Sequence, residues 1–175
     1  MRYRFVDSRL GPVLVAADEQ GLREVSFQEG VNPAMLRAGW VEDQDFLEEP
    51  ARQLQSYLAG SLRRFDLRLA PRGTPFQQKV WRALEEIPYG RTITYSELAQ
   101  SIGRPAACRA VGAANGRNPL PIVLPCHRVI GSNGTLTGYG AGLKFKEALL
   151  QLERQKESGI RKQEVSRRGA EMQRR

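Results

Sequence analysis

The chain has 175 residues, of which 41% are hydrophobic and 26% charged, and a formal net charge of +8. That length suits one or two small domains with apolar material enough for a core, and no stretch is long and apolar enough for a membrane span. Two cysteines, Cys108 and Cys126, and one histidine, His127, exclude a disulfide scaffold and the usual four-ligand zinc site, so no metal and no cofactor is expected.

The first twenty residues hold Asp7 and Asp18 and no long apolar run, which argues against a secretory signal and for a cytoplasmic protein. Tyr3–Val6 and Val13–Ala16 are β-prone runs separated by the turn residues Arg9 to Pro12. Leu22 to Phe27 alternates apolar and polar residues, as a half-buried strand does. A helix is expected from about Asp43 to Ala59, with Phe46, Ala51, Leu54, Tyr57 and Leu58 as its apolar stripe and Gly60 as its stop. Phe65 to Leu69 alternates again and reads as an edge strand.

Pro71 to Pro75 marks a boundary, after which helices dominate. Thr74 caps a helix that starts at Pro75 and runs to about Glu86, with Phe76, Val80, Trp81 and Leu84 on its buried side. Ile87 to Gly90 ends it. Thr94-Tyr-Ser-Glu97 is a capping box, and Leu98 and Ile102 continue that helix. After the Gly103-Arg104-Pro105 turn, a further helix is expected over Ala106–Asn115. Two helices joined by a short glycine turn resemble a helix-turn-helix, although an ordinary helical hairpin has the same signature. The second helix is made of small residues, Ala106, Ala107, Ala110, Gly112, Ala113 and Ala114, with Arg109 protruding among them. Such a profile lets a backbone approach a neighbouring helix or a nucleic-acid groove closely.

The expected fold is therefore an α/β N-terminal domain over residues 1–70, with a small antiparallel sheet plus a helix. A mainly α C-terminal domain over 71–155 follows, and a basic tail over 156–175, frayed or disordered. Charge is unevenly spread. Arg154 to Arg175 carry eight Lys/Arg against three Glu, a net +5, which leaves +3 for the rest. No Asp or Glu occurs from Leu98 to Lys146, while Arg104, Arg109, Arg117, Arg128, Lys144 and Lys146 all do. That stretch would attract phosphates.

The motif that carries chemistry is Leu124-Pro125-Cys126-His127-Arg128-Val129. A free thiol with a pKa of about 8.5 is only a few per cent thiolate at neutral pH, and an imidazole that takes its proton raises that fraction. Neighbours in a strand point to opposite faces, so a relay through water fits as well as direct contact. A buried structural thiol is the alternative reading of Cys126.

Pro125-Cys126-His127-Arg128-Val129 resembles the active-site signature of the O6-alkylguanine–DNA alkyltransferase (methylated-DNA–protein-cysteine methyltransferase) family, of the Ogt-like kind. The similarity extends in order through Ile87 to Gly90, Thr94 to Ala99, Arg109 to Gly112, Asn118-Pro119, Gly138-Tyr139 and Lys146 to Leu150 with Glu153. It is close over about Gly73 to Glu153 and only a matter of pattern before that.

The resemblance implies stoichiometric, irreversible transfer of an alkyl group from O6-alkylguanine, and O4-alkylthymine, in double-stranded DNA. Cys126 is the implied acceptor and His127 its base through a water. Glu153 is implied to hold His127, and Asn118 to orient the active-site turn. The helix-turn-helix would enter the minor groove and flip the base. Thr94, Tyr95, Arg109, Ala110, Gly112, Ala113, Arg117 and Arg128 are the implied DNA contacts, with Arg109 filling the vacated stack. Tyr95, Pro121, Val129, Tyr139, Gly140 and Ala141 are implied to line the base pocket.

Three departures stand out. Gly140 replaces a serine of some members and suggests a roomier pocket, Cys108 sits where a small residue is usual, and the zinc ligands of some N-terminal domains are absent. The protein is expected to act as a monomer, with clustering on DNA left open. The competing readings are a non-catalytic lesion-binding protein, a helix-turn-helix regulator and a cysteine hydrolase.

Overall fold

Short extended runs of β-branched residues at the N-terminus form a four-stranded sheet in this computed structural model, which describes residues 1–27 and 39–155. Strands β1 (Arg2–Val6), β2 (Val13–Asp18), β3 (Gly21–Phe27) and β4 (Val41–Glu42) lie in the order β3-β2-β1-β4. Residues β1 to β3 form an antiparallel meander, with Val6 opposite Val13 and Val13 opposite Phe27. The buried run Val13 to Ala17 makes β2 the spine of the sheet. Strand β4 joins β1 in parallel at Arg2 and Tyr3. It was not foreseen, because a two-residue exposed strand has no periodicity to read.

Helix α1 (Glu48–Leu58) buries Ala51, Leu54 and Tyr57. It starts five residues later than the apolar stripe suggests. Pro50 has no N–H for an intrahelical bond and would clash with Phe46 in a longer helix. The chain instead turns at 44–47, where the Asp43 carboxylate accepts the Phe46 N–H at 2.9 Å. The expected edge strand at 65–69 is also corrected. It is irregular apart from one parallel bridge between Leu22 and Leu69. The buried Gln53 amide brackets the Asp66 backbone there, accepting its N–H at 2.8 Å and donating to its carbonyl at 2.9 Å.

Helix α2 (Pro75–Glu85) begins with the expected proline behind a Thr74–Gln77 capping box. Strand β5 (Ile93–Thr94) leads into α3 (Tyr95–Ser101), capped reciprocally by Thr94 and Glu97. Each such cap contributes about 1 kcal/mol. Gly103, at φ 67°, turns the chain, and a 3₁₀ turn, Pro105–Ala107, precedes α4 (Cys108–Gly116). The expected continuous helix from Ala106 is thus split, because the proline-started turn is wound more tightly than an α-helix. Strand β6 (Val129–Ile130) pairs in parallel with β5, and helix α5 covers residues 143–155.

Trp81 of α2 donates its indole N–H to the Ala114 carbonyl of α4 at 2.9 Å, a close approach that small side chains permit. One hydrophobic core runs through both halves, from Val13 and Leu54 to Leu98, Leu120 and Leu149. Each fully buried leucine adds roughly 1.5–3 kcal/mol. Phe27 of β3 stacks on Phe145 of α5 at 4.2 Å, and the Val25 N–H reaches the Pro119 carbonyl at 2.8 Å. Among the described residues, no helix is long and apolar enough to cross a membrane. The basic tail lies outside the described residues.

Candidate active site

The turn before Cys126 is braced by its own sequence. The Asn118 side chain accepts the Leu120 N–H at 2.9 Å and donates to the Leu124 carbonyl at 2.8 Å. Between them Ile122 takes a positive φ of 77°. A β-branched residue adopts that conformation only where its surroundings impose it. Pro125 then leads into a single 3₁₀ turn, Cys126–Arg128, and β6 anchors the exit. Asn115 of α4, 1% exposed, donates to the Cys126 carbonyl at 3.4 Å. The Cys126 thiol is therefore fixed from both sides of its own backbone.

The 3₁₀ turn sends His127 and Arg128 inward, where they meet Glu153 of α5. His127 Nε2 lies 2.8 Å from Glu153 Oε1. Arg128 donates through Nε at 3.1 Å and Nη2 at 2.9 Å to the same oxygen, and through Nη1 to the Ile87 carbonyl at 2.6 Å. The other carboxylate oxygen accepts the Gly90 N–H at 2.7 Å. Tyr57 of α1 donates its hydroxyl to Glu153 Oε1 and lies 3.2 Å from His127 Nε2. Both neighbours of Nε2 are acceptors, so Nε2 carries the proton and Nδ1 keeps the lone pair. Nδ1 is buried and bonded to no protein group.

The electrostatics follow from that burial. Burial alone would raise the Glu153 carboxyl, but the His127 and Arg128 hydrogen bonds and charges outweigh it and hold it at about 2. Burial holds the His127 imidazole below its ordinary value against the opposing pull of Glu153. A neutral His127 supplies Glu153 with a hydrogen bond and no full charge. Arg128 is the counter-ion that keeps the carboxylate ionised. Burial pushes the Cys126 thiol up to about 11, against the Asn118 hydrogen bond and the Lys146 charge, which lower it. The resting sulfur is thus a protonated thiol. Burial leads because Cys126, a residue 3% exposed, is poorly solvated as an anion.

Lys146 is fully buried on α5 and donates to the Val129 carbonyl at 2.5 Å and the Thr137 carbonyl at 2.8 Å. Burial lowers its ammonium to about 8, against the influence of Cys126. Tyr139 is buried beside Cys126. Burial, then the sulfur, push its phenol well above the ordinary range. Tyr95 donates its hydroxyl to the Thr137 carbonyl at 3.0 Å, which draws the 131–142 loop over the site. Pro121 and Val129 are buried, and Ala141 is half-buried. A Cβ on Gly140 would lie 2.8 Å from the Gly116 carbonyl oxygen. The backbone of Gly116 thus occupies the space that a side chain at position 140 would need.

The outer face of α4 presents Arg109, Ala110 and Ala113, with Arg117 at its C-cap, all exposed, while Val111, Ala114 and Asn115 face inward. Gly112 faces Tyr95, where a Cβ would make ordinary contact at 3.8 Å. Thr94 spends its hydroxyl on the α3 cap. Arg128 does not belong with the outward arginines. It is 6% exposed and saturated by Glu153 and Ile87, which corrects its assignment as a DNA contact. A buried arginine neutralises a buried carboxylate more cheaply than it could leave it for a phosphate.

Sequence reasoning missed Tyr57, Asn115 and Lys146 as site residues. Tyr57 sat inside an apolar helical stripe, and no signal pointed its hydroxyl at Glu153. A cavity of about 700 Å³ is lined by Arg63, Tyr89, Pro125 and Arg128 and excludes Cys126 and His127, so the chemistry does not lie there. Among the described residues, no group of three His, Cys, Asp or Glu is placed to hold a metal.

Comparison with known proteins gives a consistent result. Residues 75–155 match the family model for the 6-O-methylguanine DNA methyltransferase DNA binding domain. Residues 1–71 match that for the 6-O-methylguanine DNA methyltransferase ribonuclease-like domain. A methylated-DNA–protein-cysteine methyltransferase of Methanosarcina acetivorans is 55% identical over 153 residues, covering 87% of this chain and 98% of that protein. One of Mycolicibacterium paratuberculosis is 48% identical, covering 88% and 93%. The crystal structure of Mycobacterium tuberculosis OGT in complex with DNA superposes with a TM-score of 0.82 at 47% identity, covering 89% of this chain and 94% of that one.

Proposed function

The chain belongs to the 6-O-methylguanine DNA methyltransferase family, and from that premise we propose that it repairs DNA by moving the alkyl group of O6-alkylguanine onto Cys126. The observation that carries this reading is the imidazole of His127. Its Nε2 is committed to Glu153 and its Nδ1 is free in the same buried site as a thiol. A neutral base with its lone pair unspent is what a protonated nucleophile requires.

The transfer balances without a cofactor. The Cys126 sulfur attacks the alkyl carbon while its proton passes to His127 Nδ1, directly or through a water. The C–O6 bond breaks, its electron pair stays on the base, and the guanine anion takes up one proton, which the His127 imidazolium gives back by way of water. Glu153 stabilises the transient imidazolium. The product is a thioether, which no group at the site can cleave, so each molecule acts once.

The exposed face of α4 supports a role as the DNA-facing surface. Arg109, Arg117 and the alanines Ala110 and Ala113 lie together on it, with Tyr95 at its inner edge. Small side chains suit minor-groove approach, and Arg109 is the side chain to occupy the stack once the guanine has swung out. Pro121, Val129, Tyr139, Gly140 and Ala141 are the base-pocket residues of this reading, with Asn118 holding the turn. The reading divides the chain near residue 71, makes it a monomer, and assigns it to the cytoplasm.

The test is to incubate the protein with duplex DNA bearing O6-methylguanine and measure its intact mass. One CH2 unit gained per molecule, located on Cys126 and absent from Cys126→Ala, is expected. Tight lesion binding with no mass change would instead make the protein a lesion sensor.

A further inference from the structure

The acid–base pair sits in the C-terminal half, yet one of its partners comes from the N-terminal half. Tyr57 is fully buried on α1 and reaches Glu153 and His127 across ninety-six and seventy residues of chain. Nothing about packing requires a hydroxyl there. Phe65 and Tyr89 lie around the ring at 5.1 and 5.8 Å, contacts that a phenylalanine would keep. A buried hydroxyl is retained at a cost unless its bonds are used.

We infer that Tyr57 is a positioning residue for alkyl transfer: its hydroxyl fixes the tautomer of His127 and shares the charge of Glu153, so that Nδ1 stays an unprotonated base. A tyrosine hydroxyl has one proton, and here Glu153 Oε1 takes it. Towards His127 the phenol therefore offers only lone pairs, as Glu153 does. Both forbid a proton-free Nε2. The same donation draws charge from the oxygen that His127 binds, which is also the oxygen held by Arg128. Without it, Oε1 would pull harder on the Nε2 proton and favour the imidazolium, which cannot accept the thiol proton. The groups facing His127 in this network are Glu153 and Arg128, with Tyr57 above them. Cys126 and Lys146 complete the titratable surroundings. Of these only Tyr57 is supplied by the sheet-bearing half.

The inference rests on the alkyl-transfer reading, and its test separates the two. The chain has a single histidine, so nitrogen NMR of the histidine-labelled full-length protein reads His127 alone. The wild type is expected to carry its proton on Nε2 at neutral pH. In Tyr57→Phe the imidazole midpoint should rise by about one pH unit. The acid limb of single-turnover transfer from free O6-benzylguanine to Cys126 should rise with it. A folded Tyr57→Phe protein whose titration and rate profile overlay the wild type would overturn the inference. If the wild type takes up no alkyl group, the transfer reading fails, and the imidazole titration still decides the role of Tyr57. A second measurement needs no variant. The shielded Tyr57 hydroxyl proton should give its own resonance with a cross-peak to the His127 ring, and a freely exchanging hydroxyl would overturn the assignment.

Discussion

The protein places its polar groups in two contrasting ways. Around Glu153, Tyr57, His127 and Arg128 are buried and bonded to its carboxylate, and their charges are settled inside the molecule. On the outer face of α4, Arg109 and Arg117 stand in solvent among alanines. Two arginines of similar appearance in the sequence, Arg109 and Arg128, thus have opposite duties. One is available to a partner, and the other is consumed by the fold. Basic residues in an acid-free stretch cannot be pooled into one binding surface until burial is known.

The sharpest way to break this comparison is to remove the inward arginine. Arg128→Ala leaves Glu153 buried without its counter-ion, and a loss of about 3–5 kcal/mol in denaturant unfolding is expected. If the variant kept its stability and lost only DNA affinity, Arg128 would belong with the outward set.

Acid should expose the same contrast. The Glu153 carboxyl is held near 2 in the folded state, against an ordinary 4.5. Its contribution is therefore complete above the ordinary value and fades as the pH falls towards 2. His127, held below 6.5, acts in the same direction, since only the unfolded chain takes up its proton below that pH. Cys126 acts oppositely: its rise from 9.0 to about 11 lets stability drain away as pH climbs between those values. Glu153→Gln should be less stable than the wild type by about 3 kcal/mol at neutral pH, with the gap shrinking as the pH drops from about 5 to about 2. A gap independent of pH in thermal unfolding would show that Glu153 is not ionised.

The smallest effect sharpens the outward side. Arg109→Ala is expected to leave stability unchanged and to slow repair in duplex DNA by about tenfold, while attack on free O6-benzylguanine changes by less than about twofold. Equal losses on both substrates would remove Arg109 from the helix-opening role.

Much of the local structure was legible in the chain. Thr74 and Thr94 announced their caps, Pro75 announced a helix start, and Gly103 announced the turn before α4. These signals act within four residues, and tertiary packing had no cause to override them. Pro50 was equally local and was outweighed by an apolar stripe that continued to Phe46. The ordered series around Pro125-Cys126-His127-Arg128 pointed to the site, with Glu153 and Asn118 in it.

What the chain could not reveal alone was direction and protonation. Which way Arg128 turns depends on a carboxylate twenty-five residues away. The state of the Cys126 thiol depends on how completely water is excluded from it. Tyr57 enters the site because α1 packs across the boundary between the halves, and its hydroxyl has no periodicity to betray it. The sequence by itself determined the caps at Thr74 and Thr94 and the apolar faces of the helices, since these rest on neighbours along the backbone. Only the tertiary structure decided which charges are spent internally and which proton sits where, because both depend on distances between segments that folding alone brings together.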